Sequence, residues 1–264
     1  MKPDRPHKAR KRFGQNFLVD ETVIGRIIAA IAPKPGERII EIGPGQEALT
    51  GPLLTSGADL AVVEIDRDLA SRLRLSHPDL EIRQADALDV DFAELADGAP
   101  YRLVGNLPYN ISTPILFHLL DQAPPPRDMH FMLQKEVVQR MTAGPGDRAQ
   151  GRLGLMCQNR AEVTHLFDVP PSAFSPQPRV ESAIVRVEPR TEPLVPTALE
   201  PVFDELVRLA FGRRRKTLRN SLRDRLDAAA IEAAGVDPGA RPEALGLKDF
   251  RSLAREAAKR EHGV

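Results

Sequence analysis

The chain has 264 residues, of which 42% are hydrophobic, and its formal net charge is zero. This length allows one large domain, or a medium-sized domain with a smaller one, and the apolar fraction argues against a disordered chain. Cys157 is the only cysteine and no apolar run approaches the length of a membrane span, so we expect a cytoplasmic protein without disulfides, membrane segments or a signal peptide.

Helix and strand patterns alternate along the first half of the chain. Asp20 is the predicted N-cap of a helix with an apolar stripe that ends at Ile31. The predicted strands of this part cover 38–42, 60–65, 80–83 and 101–105. A helix that stops at Gly57 separates the first two strands, and Thr113 is predicted to cap another helix with Pro114 at its first position.

Strand patterns continue only as far as residue 188. The further predicted strands cover 129–133, 162–169 and 180–187. Strands that alternate with helices indicate a parallel, doubly wound α/β sheet. Residues 189–201 hold four prolines and little apolar pattern, which is typical of a linker, and apolar residues then recur at helical spacing over 211–226. We predict an α/β domain over 1–188, a linker over 189–201 and a smaller all-helical domain over 202–264.

Two stretches concentrate positive charge in this neutral chain. Residues 1–13 carry six Lys or Arg against the single Asp4, and residues 206–223 carry seven with no acidic residue. One such stretch would be interpreted as a solvated helix face. Two of them favour a polyanionic partner such as nucleic acid.

A glycine turn follows the first predicted strand. Gly43 and Gly45 precede a helix in a G-x-G-x-x-A pattern, whose glycines let the backbone approach a ligand at the carboxyl edge of a sheet. Glu64 ends the next strand about twenty residues on, where a carboxylate that binds a ribose hydroxyl pair is expected. The pair indicates a nucleoside-containing cofactor, either a dinucleotide or S-adenosylmethionine. A tight turn beside an exposed glutamate would give the same pattern.

The run Asn106-Leu107-Pro108-Tyr109 ends the fourth predicted strand and indicates a reaction. An exocyclic adenine amine is a poor nucleophile because its lone pair is delocalised into the ring. The Asn106 amide oxygen and a backbone carbonyl of Leu107 or Pro108 can accept its two hydrogens, which directs the lone pair towards an electrophilic methyl group. Tyr109 can stack on the base. The alternative is an ordinary strand-to-helix turn with a chance proline.

Two further residues have paired interpretations. Phe174, in a proline-rich stretch before a strand, offers a second stacking surface for a base that is single-stranded or flipped out of a duplex, or it is a core side chain under a loop. Asp86 follows the third strand, where it can accept a hydrogen bond from an adenine amino group or cap the next helix. The six histidines show no paired ligand spacing, so we expect no metal site.

Seven segments spread over nearly the whole chain resemble the bacterial ribosomal RNA adenine dimethyltransferases, the kasugamycin-sensitivity family. They are RFGQNFL at 12–18, EIGPG at 41–45, VEID at 63–66, NLPYNIS at 106–112, LQKEV at 133–137, FSP at 174–176 and RRKTLRN at 214–220. The resemblance implies a Rossmann-like, S-adenosylmethionine-dependent methyltransferase sheet with a second, smaller all-helical C-terminal domain. It also implies methyl transfer to the N6 amines of two adjacent adenosines near the 3′ end of 16S rRNA, giving dimethyladenosine.

The resemblance assigns roles to particular residues. The residues it implies for the cofactor are Asn16, Leu18, Gly43, Glu64, Asp86 and Asn106. Those it implies for catalysis are Asn106, Leu107, Pro108, Tyr109 and Phe174. Gly43 would lie against the methionine part of the cofactor, Glu64 would hold the ribose and Asp86 the adenine, while the target adenosine would lie between Tyr109 and Phe174.

The implied partner is 16S rRNA within the immature 30S ribosomal subunit, with a role in subunit biogenesis. The basic C-terminal helix would lie against rRNA phosphates, and binding should then weaken steeply with salt. We expect a monomer that acts without a metal.

One position departs from the family pattern. The second residue after Gly-Pro-Gly is usually small in the family, whereas this chain has Glu47. A carboxylate in the first turn of a helix is electrostatically favourable, yet it would lie close to the methionine carboxylate of the cofactor. We expect that the cofactor still binds.

Three rival functions remain from the sequence. An erythromycin-resistance type of enzyme, which methylates large-subunit rRNA, shares the cofactor motifs, but the arginine-rich 214–220 segment favours the small-subunit family. A ribosome-assembly factor would act by binding rather than by catalysis. A nicotinamide-dependent oxidoreductase would leave the 106–109 run without a role.

Overall fold

The computed structural model describes residues 15–109, 111–212 and 215–261, so the basic residues of 1–13 and Arg213 and Arg214 lie outside the described residues. The chain divides into two compact units, one of residues 1–138 with 164–189 and one of residues 139–163 with 190–264. Residues 139–163, which the sequence placed in the larger domain, thus belong with the C-terminal helices. The predicted assignment of functional domains stays a prediction.

The described strands form a large sheet and a small one. They are β1 (Phe17–Leu18), β2 (Arg38–Ile42), β3 (Asp59–Val63), β4 (Glu81–Arg83), β5 (Tyr101–Asn106), β6 (Asp128–Gln134), β7 (Ala161–Val169), β8 (Phe174–Ser175) and β9 (Ser182–Pro189). Seven of them lie in the order β4-β3-β2-β5-β6-β9-β7, and β1 pairs with β8. The pairs from β4 to β6 are parallel, as predicted, whereas β9 is antiparallel to β6.

The described α-helices separate the strands and then fill the second unit. They are α1 (Glu21–Ile31), α2 (Thr50–Thr55), α3 (Arg67–Ser76), α4 (Phe92–Leu95), α5 (Ser112–Leu120), α6 (Lys135–Thr142), α7 (Arg152–Arg160), α8 (Glu200–Gly212), α9 (Leu218–Ser221), α10 (Ala228–Ala233) and α11 (Leu247–Glu261). The predicted start of α1 is confirmed, because the Asp20 carboxylate accepts hydrogen bonds from the backbone N–H groups of Thr22 and Val23.

The predicted start of α5 is wrong. The helix begins at Ser112, and its N-cap is Ile111, which makes no side-chain capping hydrogen bond. Thr113 therefore lies inside the helix. Pro114 is tolerated as the third helical residue because the first backbone N–H groups of a helix have no partner within it.

The core of the first unit lies between α1 and the sheet. The apolar stripe of α1, Val23, Ile24, Ile27 and Ile31, is buried. Buried strand residues from β2, β3 and β5 pack in the same cluster, with Leu18 and Phe174 of the small sheet. Because β3 lies on one side of β2 and β5 on the other, the strand order reverses there and leaves a crevice at the carboxyl ends of the strands.

The second unit has a helical core of its own. Phe203 and Leu206 of α8 and Phe250 and Leu253 of α11 are fully buried in it. The apolar spacing over 211–226 is typical of a helix. In the structure, however, α8 ends at Gly212 and α9 begins only at Leu218. Thr217 is extended, and the backbone N–H groups of Leu218 and Arg219 donate to the carbonyls of Ala240 and Pro238 at 2.9 and 3.1 Å. Of the described basic residues of 206–223, Arg208 lies on α8 and Arg219 on α9, while Arg215 and Lys216 precede α9 and Arg223 follows it.

Candidate active site

A cavity of about 310 Å³ lies in the first unit, at the carboxyl ends of β2, β3 and β5. Open α/β sheets bind their ligands in the crevice at such a reversal of strand order. The predicted site residues that form its wall are Asn16, Leu18, Gly43, Glu64, Asp86, Asn106, Leu107, Pro108 and Tyr109. Phe174 is the one predicted residue that does not line it.

The glycine turn after β2 forms one side of the cavity. Gly43 and Gly45 have φ values of +70° and +58°, in the left-handed region that favours glycine. The Gly43 N–H donates to the Val63 carbonyl at 2.9 Å, which holds the turn against the end of β3. A Cβ atom on Gly45 would lie 3.2 Å from the Phe17 ring, so glycine also makes room for the N-terminal segment.

Glu64 is a buried carboxylate in the cavity wall. Only 4% of its surface is exposed, so the alternative of an exposed glutamate is wrong. One carboxylate oxygen accepts from the Asp66 N–H at 2.7 Å and the other from the Gly45 N–H at 3.3 Å. Burial raises the pKa of Glu64, while these backbone hydrogen bonds oppose that rise. The carboxylate is thus fixed in orientation and keeps acceptor capacity for two vicinal hydroxyls.

The structure shows Asp86 as a helix cap, and its binding to an adenine amino group stays a prediction. Its Oδ1 accepts a hydrogen bond from the Leu88 N–H at 3.0 Å, and the residue caps the short 3₁₀ helix Ala87–Asp89. It also lines the cavity. A carboxylate with one oxygen used in the cap retains the other as an acceptor.

Asn106 is the last residue of β5 and is oriented by the N-terminal segment. Its Nδ2 donates to the Asn16 carbonyl at 3.0 Å. Since this hydrogen bond uses the nitrogen of the amide, the Oδ1 atom remains as the acceptor for a hydrogen of a target amine. Composition alone would have described the N-terminal segment as a tail.

The two backbone carbonyls offered by the sequence are not equivalent. The Pro108 carbonyl accepts from the Ile111 N–H and from the Ser112 hydroxyl, both at 3.2 Å, and so belongs to the start of α5. The Leu107 N–H donates to the Met132 carbonyl at 3.2 Å, which holds the corner formed by residues 106–109 against β6. Within the described residues, no hydrogen bond to the Leu107 carbonyl is found. That Leu107 supplies the second acceptor stays a prediction.

Tyr109 and Phe174 are placed very differently. Tyr109 lines the cavity, and its hydroxyl shares a 2.6 Å hydrogen bond with the Ser182 hydroxyl. Burial raises the pKa of Tyr109. Phe174 is 2% exposed and packs in the core of the first unit, as in the alternative interpretation of its sequence. Its stacking on a base stays a prediction, which requires the ring to become accessible.

A strap of residues 15–19 crosses from the cavity to the small sheet. The Gln15 side-chain amide donates to the Asp66 carboxylate at 3.3 Å. Phe17 and Leu18 pair with β8, and the Val19 N–H donates to the Ala173 carbonyl at 2.9 Å. Asn16 and Leu18 are thereby held in the cavity wall.

Three residues near the cavity were not found from the sequence. Ile65 lines the cavity and is 44% exposed, and its place directly after the ribose-binding candidate Glu64 is the sequence signal that could have identified it. Glu41 is buried two residues before the glycine turn. His77 Nε2 lies 2.8 Å from the carboxylate of Glu47, a residue that does not line the cavity.

Two other features, a metal site and a membrane-spanning helix, were sought among the described residues. Among residues 15–109, 111–212 and 215–261, no group of three His, Cys, Asp or Glu side chains is arranged to hold a metal ion. In the same ranges, no helix has the length and apolar character that crossing a membrane requires.

Known proteins resemble this chain along nearly its whole length. A family model described as ribosomal RNA adenine dimethylase matches residues 6–259. A ribosomal RNA small subunit methyltransferase A from Chromohalobacter salexigens is 52% identical, with 96% of this chain and 93% of that protein covered. The protein of the same name from Pseudomonas aeruginosa is 54% identical, with 96% of each chain covered.

Solved structures also resemble it. The 23S rRNA methyltransferase ErmE has a TM-score of 0.71 and 30% identity over 92% of this chain and 100% of that one. A dimethyladenosine transferase from Plasmodium falciparum has a TM-score of 0.78 and 25% identity over 94% and 98% of the two chains.

Proposed function

The chain belongs to the ribosomal RNA adenine dimethylase family, and from that premise we propose that it methylates two adjacent adenosines near the 3′ end of 16S rRNA. It is an S-adenosylmethionine-dependent rRNA adenine dimethyltransferase. The observation that supports the proposal best is the corner at Asn106, in the wall of the cavity, with its amide nitrogen bonded to the Asn16 carbonyl at 3.0 Å.

The cavity fits S-adenosylmethionine, which supplies a methyl group on a sulfonium. We assign the ribose hydroxyls to Glu64, because it is a buried carboxylate whose orientation two backbone N–H groups fix. Asp86 would accept from the adenine amine and Ile65 would pack against the ring. Gly43 would lie against the methionine part, and Asn16 and Leu18 would close the wall from the N-terminal side.

Catalysis would rest on two acceptors at the Asn106 corner. Asn106 Oδ1 and the Leu107 carbonyl would each accept one hydrogen of the target amine, so that the nitrogen lone pair leaves the plane of the base and faces the methyl group. Bound S-adenosylmethionine would supply the methyl group to this nitrogen and leave as the thioether. The methylated ammonium then gives a proton to water, so no strong general base is needed. Tyr109 would stack on the base.

The partner would be 16S rRNA in the immature 30S subunit, bound by a cytoplasmic monomer. Exposed basic residues of the second unit, Arg208, Arg215, Lys216, Arg219 and Arg223, would lie against phosphates. The helical residues after 201 would then form an RNA-binding domain and those before 189 the methyltransferase domain.

Methyl transfer to isolated particles tests the proposal. Undermethylated 30S particles and 50S particles would be incubated in parallel with the protein and labelled S-adenosylmethionine, and the modified adenosines mapped by mass spectrometry. We expect dimethyladenosine at two adjacent positions near the 3′ end of 16S rRNA. Label in 23S rRNA alone would favour the large-subunit type of enzyme, and no label in either would refute the proposal.

An Asn106→Ala variant separates catalysis from binding. We expect it to lose at least about a hundredfold in methylation rate, because one of the two acceptors is removed, while 30S particles still bind. Methylation at the rate of the unmodified chain would contradict the role of the amide. Loss of both activities would argue against separable catalytic and binding roles.

A further inference from the structure

The Tyr109 hydroxyl forms a hydrogen bond with a residue from a distant segment of the chain. It shares a 2.6 Å hydrogen bond with the hydroxyl of Ser182, which lies 73 positions away in the chain. Ser182 is fully buried and begins β9. The bond therefore joins a residue in the cavity wall to the large sheet.

Ser182 is itself placed rigidly. In the antiparallel pair of β6 and β9 it lies opposite Gln134, and β6 in turn pairs with β5, the strand that ends in Asn106. The neighbouring Lys135 N–H donates to the Glu181 carbonyl at 3.0 Å. Ser182 and Asn106 thus belong to adjoining parts of one hydrogen-bonded sheet.

A lysine also holds both ends of the segment that precedes Ser182. The Lys135 ammonium lies 2.8 Å from the Asp168 carboxylate and 2.8 Å from the Glu181 carboxylate. These two acidic residues flank residues 169–180, which include Phe174. The backbone at Ser182 is held mainly by its strand pairing with β6, and these partly exposed ion pairs add to it.

Tyr109 is less constrained by its own position. It lies in the turn between β5 and α5, after Pro108, and outside either regular element. A tyrosine ring turns about two side-chain torsions, and a hydrogen bond at its far end restricts both. The ring that would stack on the target base is therefore oriented before the base arrives, which removes an ordering cost from binding.

We propose that Ser182 is a positioning residue, which holds the Tyr109 ring in the orientation needed to stack on the target adenine. This inference rests on the proposed function, since it assigns Tyr109 to the base. Ser182 itself does not line the cavity. Its loss should therefore slow methylation of RNA without changing the affinity for S-adenosylmethionine.

The test compares Ser182→Ala, Tyr109→Phe and the double variant on undermethylated 30S particles. Ser182→Ala and Tyr109→Phe each remove the same hydrogen bond, one from the serine side and the other from the tyrosine side. If the buried Ser182→Ala variant folds poorly, Tyr109→Phe still tests the inference. We expect each single variant to lower kcat/KM about five- to tenfold, as the loss of one hydrogen bond predicts, and the double variant to be no slower than the slower single one. S-adenosylmethionine Kd, measured by calorimetry, should stay unchanged in all three.

Ser56→Ala is the matched control. Its hydroxyl also makes a hydrogen bond inside the first unit, to the Leu53 carbonyl at 2.6 Å, and it does not line the cavity. We expect methylation by this variant at the rate of the unmodified chain.

Three results would overturn the inference. They are an unchanged rate in Ser182→Ala, losses that multiply in the double variant, and a weakened Kd for S-adenosylmethionine in step with the rate. If the unmodified chain leaves the particles unlabelled, the proposed function fails and this inference with it. A labelled particle combined with any of the three results refutes the role of Ser182 alone.

Discussion

A buried carboxyl group lies two residues before the glycine turn. Glu41 is 2% exposed, and the Thr50 hydroxyl donates to it at 2.7 Å. Burial raises the pKa of Glu41 to about 8, and the negative charges of Glu64 and Glu47 add to that rise against the hydrogen bond from Thr50. The folded state therefore binds a proton at Glu41 more tightly than the unfolded chain does.

This proton makes stability depend on pH. The ordinary pKa near 4.5 applies to the unfolded chain, so the stabilisation is complete below that pH and is lost as the pH rises through about 8. The free energy of unfolding should fall as the pH rises across this window, by roughly 1 kcal/mol per pH unit from Glu41 alone. In Glu41→Gln, which is neutral at every pH, that dependence should disappear and stability at pH 8 should rise.

Urea denaturation between pH 5 and pH 8 measures this effect. Glu232→Gln, at an exposed glutamate of α10, is the control and should keep the pH dependence of the unmodified chain. Equal slopes for Glu41→Gln and the unmodified chain would show that Glu41 does not hold the proton.

The position of Glu47 in the sequence predicts a carboxylate close to the methionine carboxylate of the cofactor. In the structure, this carboxylate contacts a histidine instead. Glu47 has a φ of +69°, a left-handed value that a glycine adopts more readily, and its carboxylate lies 2.8 Å from His77 Nε2. Because Glu47 contacts His77 and does not line the cavity, we expect its carboxylate to stay clear of the methionine carboxylate of a bound cofactor.

We therefore expect Glu47→Gly to keep the affinity for S-adenosylmethionine within about twofold, as for a substitution outside the binding surface. Glu64→Gln should weaken it by at least about tenfold, because hydrogen bonds to a charged acceptor are lost. Calorimetry on both variants decides the question. A large gain in affinity for Glu47→Gly would mean that Glu47 does repel the cofactor.

At the scale of elements, the strap of residues 15–19 and the glycine turn depend on each other. Phe17 of β1 packs against Gly45 so closely that no side chain fits between them without a shift of the ring. The same β1 residue pairs with Ser175 of β8. A change in the turn should consequently disturb the strap that carries Asn16 and Leu18.

Gly45→Ala tests this dependence. An alanine at φ +58° with its Cβ 3.2 Å from the Phe17 ring should destabilise the protein by about 1–2 kcal/mol. It should also weaken S-adenosylmethionine binding, because the strap forms part of the cavity wall. Gly51→Ala is the matched control, since Gly51 lies in α2 with nothing within 4 Å of an added Cβ, and it should be neutral or slightly stabilising. Similar thermal stability and Kd in the two variants would contradict the dependence.

At the scale of the whole molecule, the net charge is zero, but the charged residues are unevenly distributed along the chain. The chain has 37 basic and 37 acidic residues, yet the 206–223 stretch has no acidic residue. Since phosphate contacts release counterions, this stretch should give rRNA binding a steep dependence on salt.

Arg219→Gln is expected to weaken binding to 30S particles and to reduce the slope of log K against log salt by about 0.7–0.9. Arg255→Gln, an exposed arginine of α11 in the same unit, removes the same charge outside the basic stretch. Filter binding at several salt concentrations distinguishes them. Equal slopes for both variants would show that net charge, rather than this stretch, determines binding.

Much of this architecture is encoded locally. The stripe that ends at Ile31, the cap at Asp20 and the strand before Gly43 are short-range patterns, and each appears where its pattern predicts. The break between α8 and α9 was missed for a long-range reason, because it depends on carbonyls of residues 238 and 240. The start of α5 was misplaced because proline is tolerated at several positions of a first helical turn.

By itself, the sequence determined the alternation of strands and helices, the glycine turn, the ribose candidate Glu64 and the corner at Asn106, since each follows from neighbouring residues. Only the tertiary structure decided that the Pro108 carbonyl accepts hydrogen bonds at the start of α5, that Glu47 faces His77 and that Phe174 is buried. The bonds from Asn106 to Asn16 and from Tyr109 to Ser182 join residues 90 and 73 positions apart. Such partners depend on how distant segments pack, which no local pattern records.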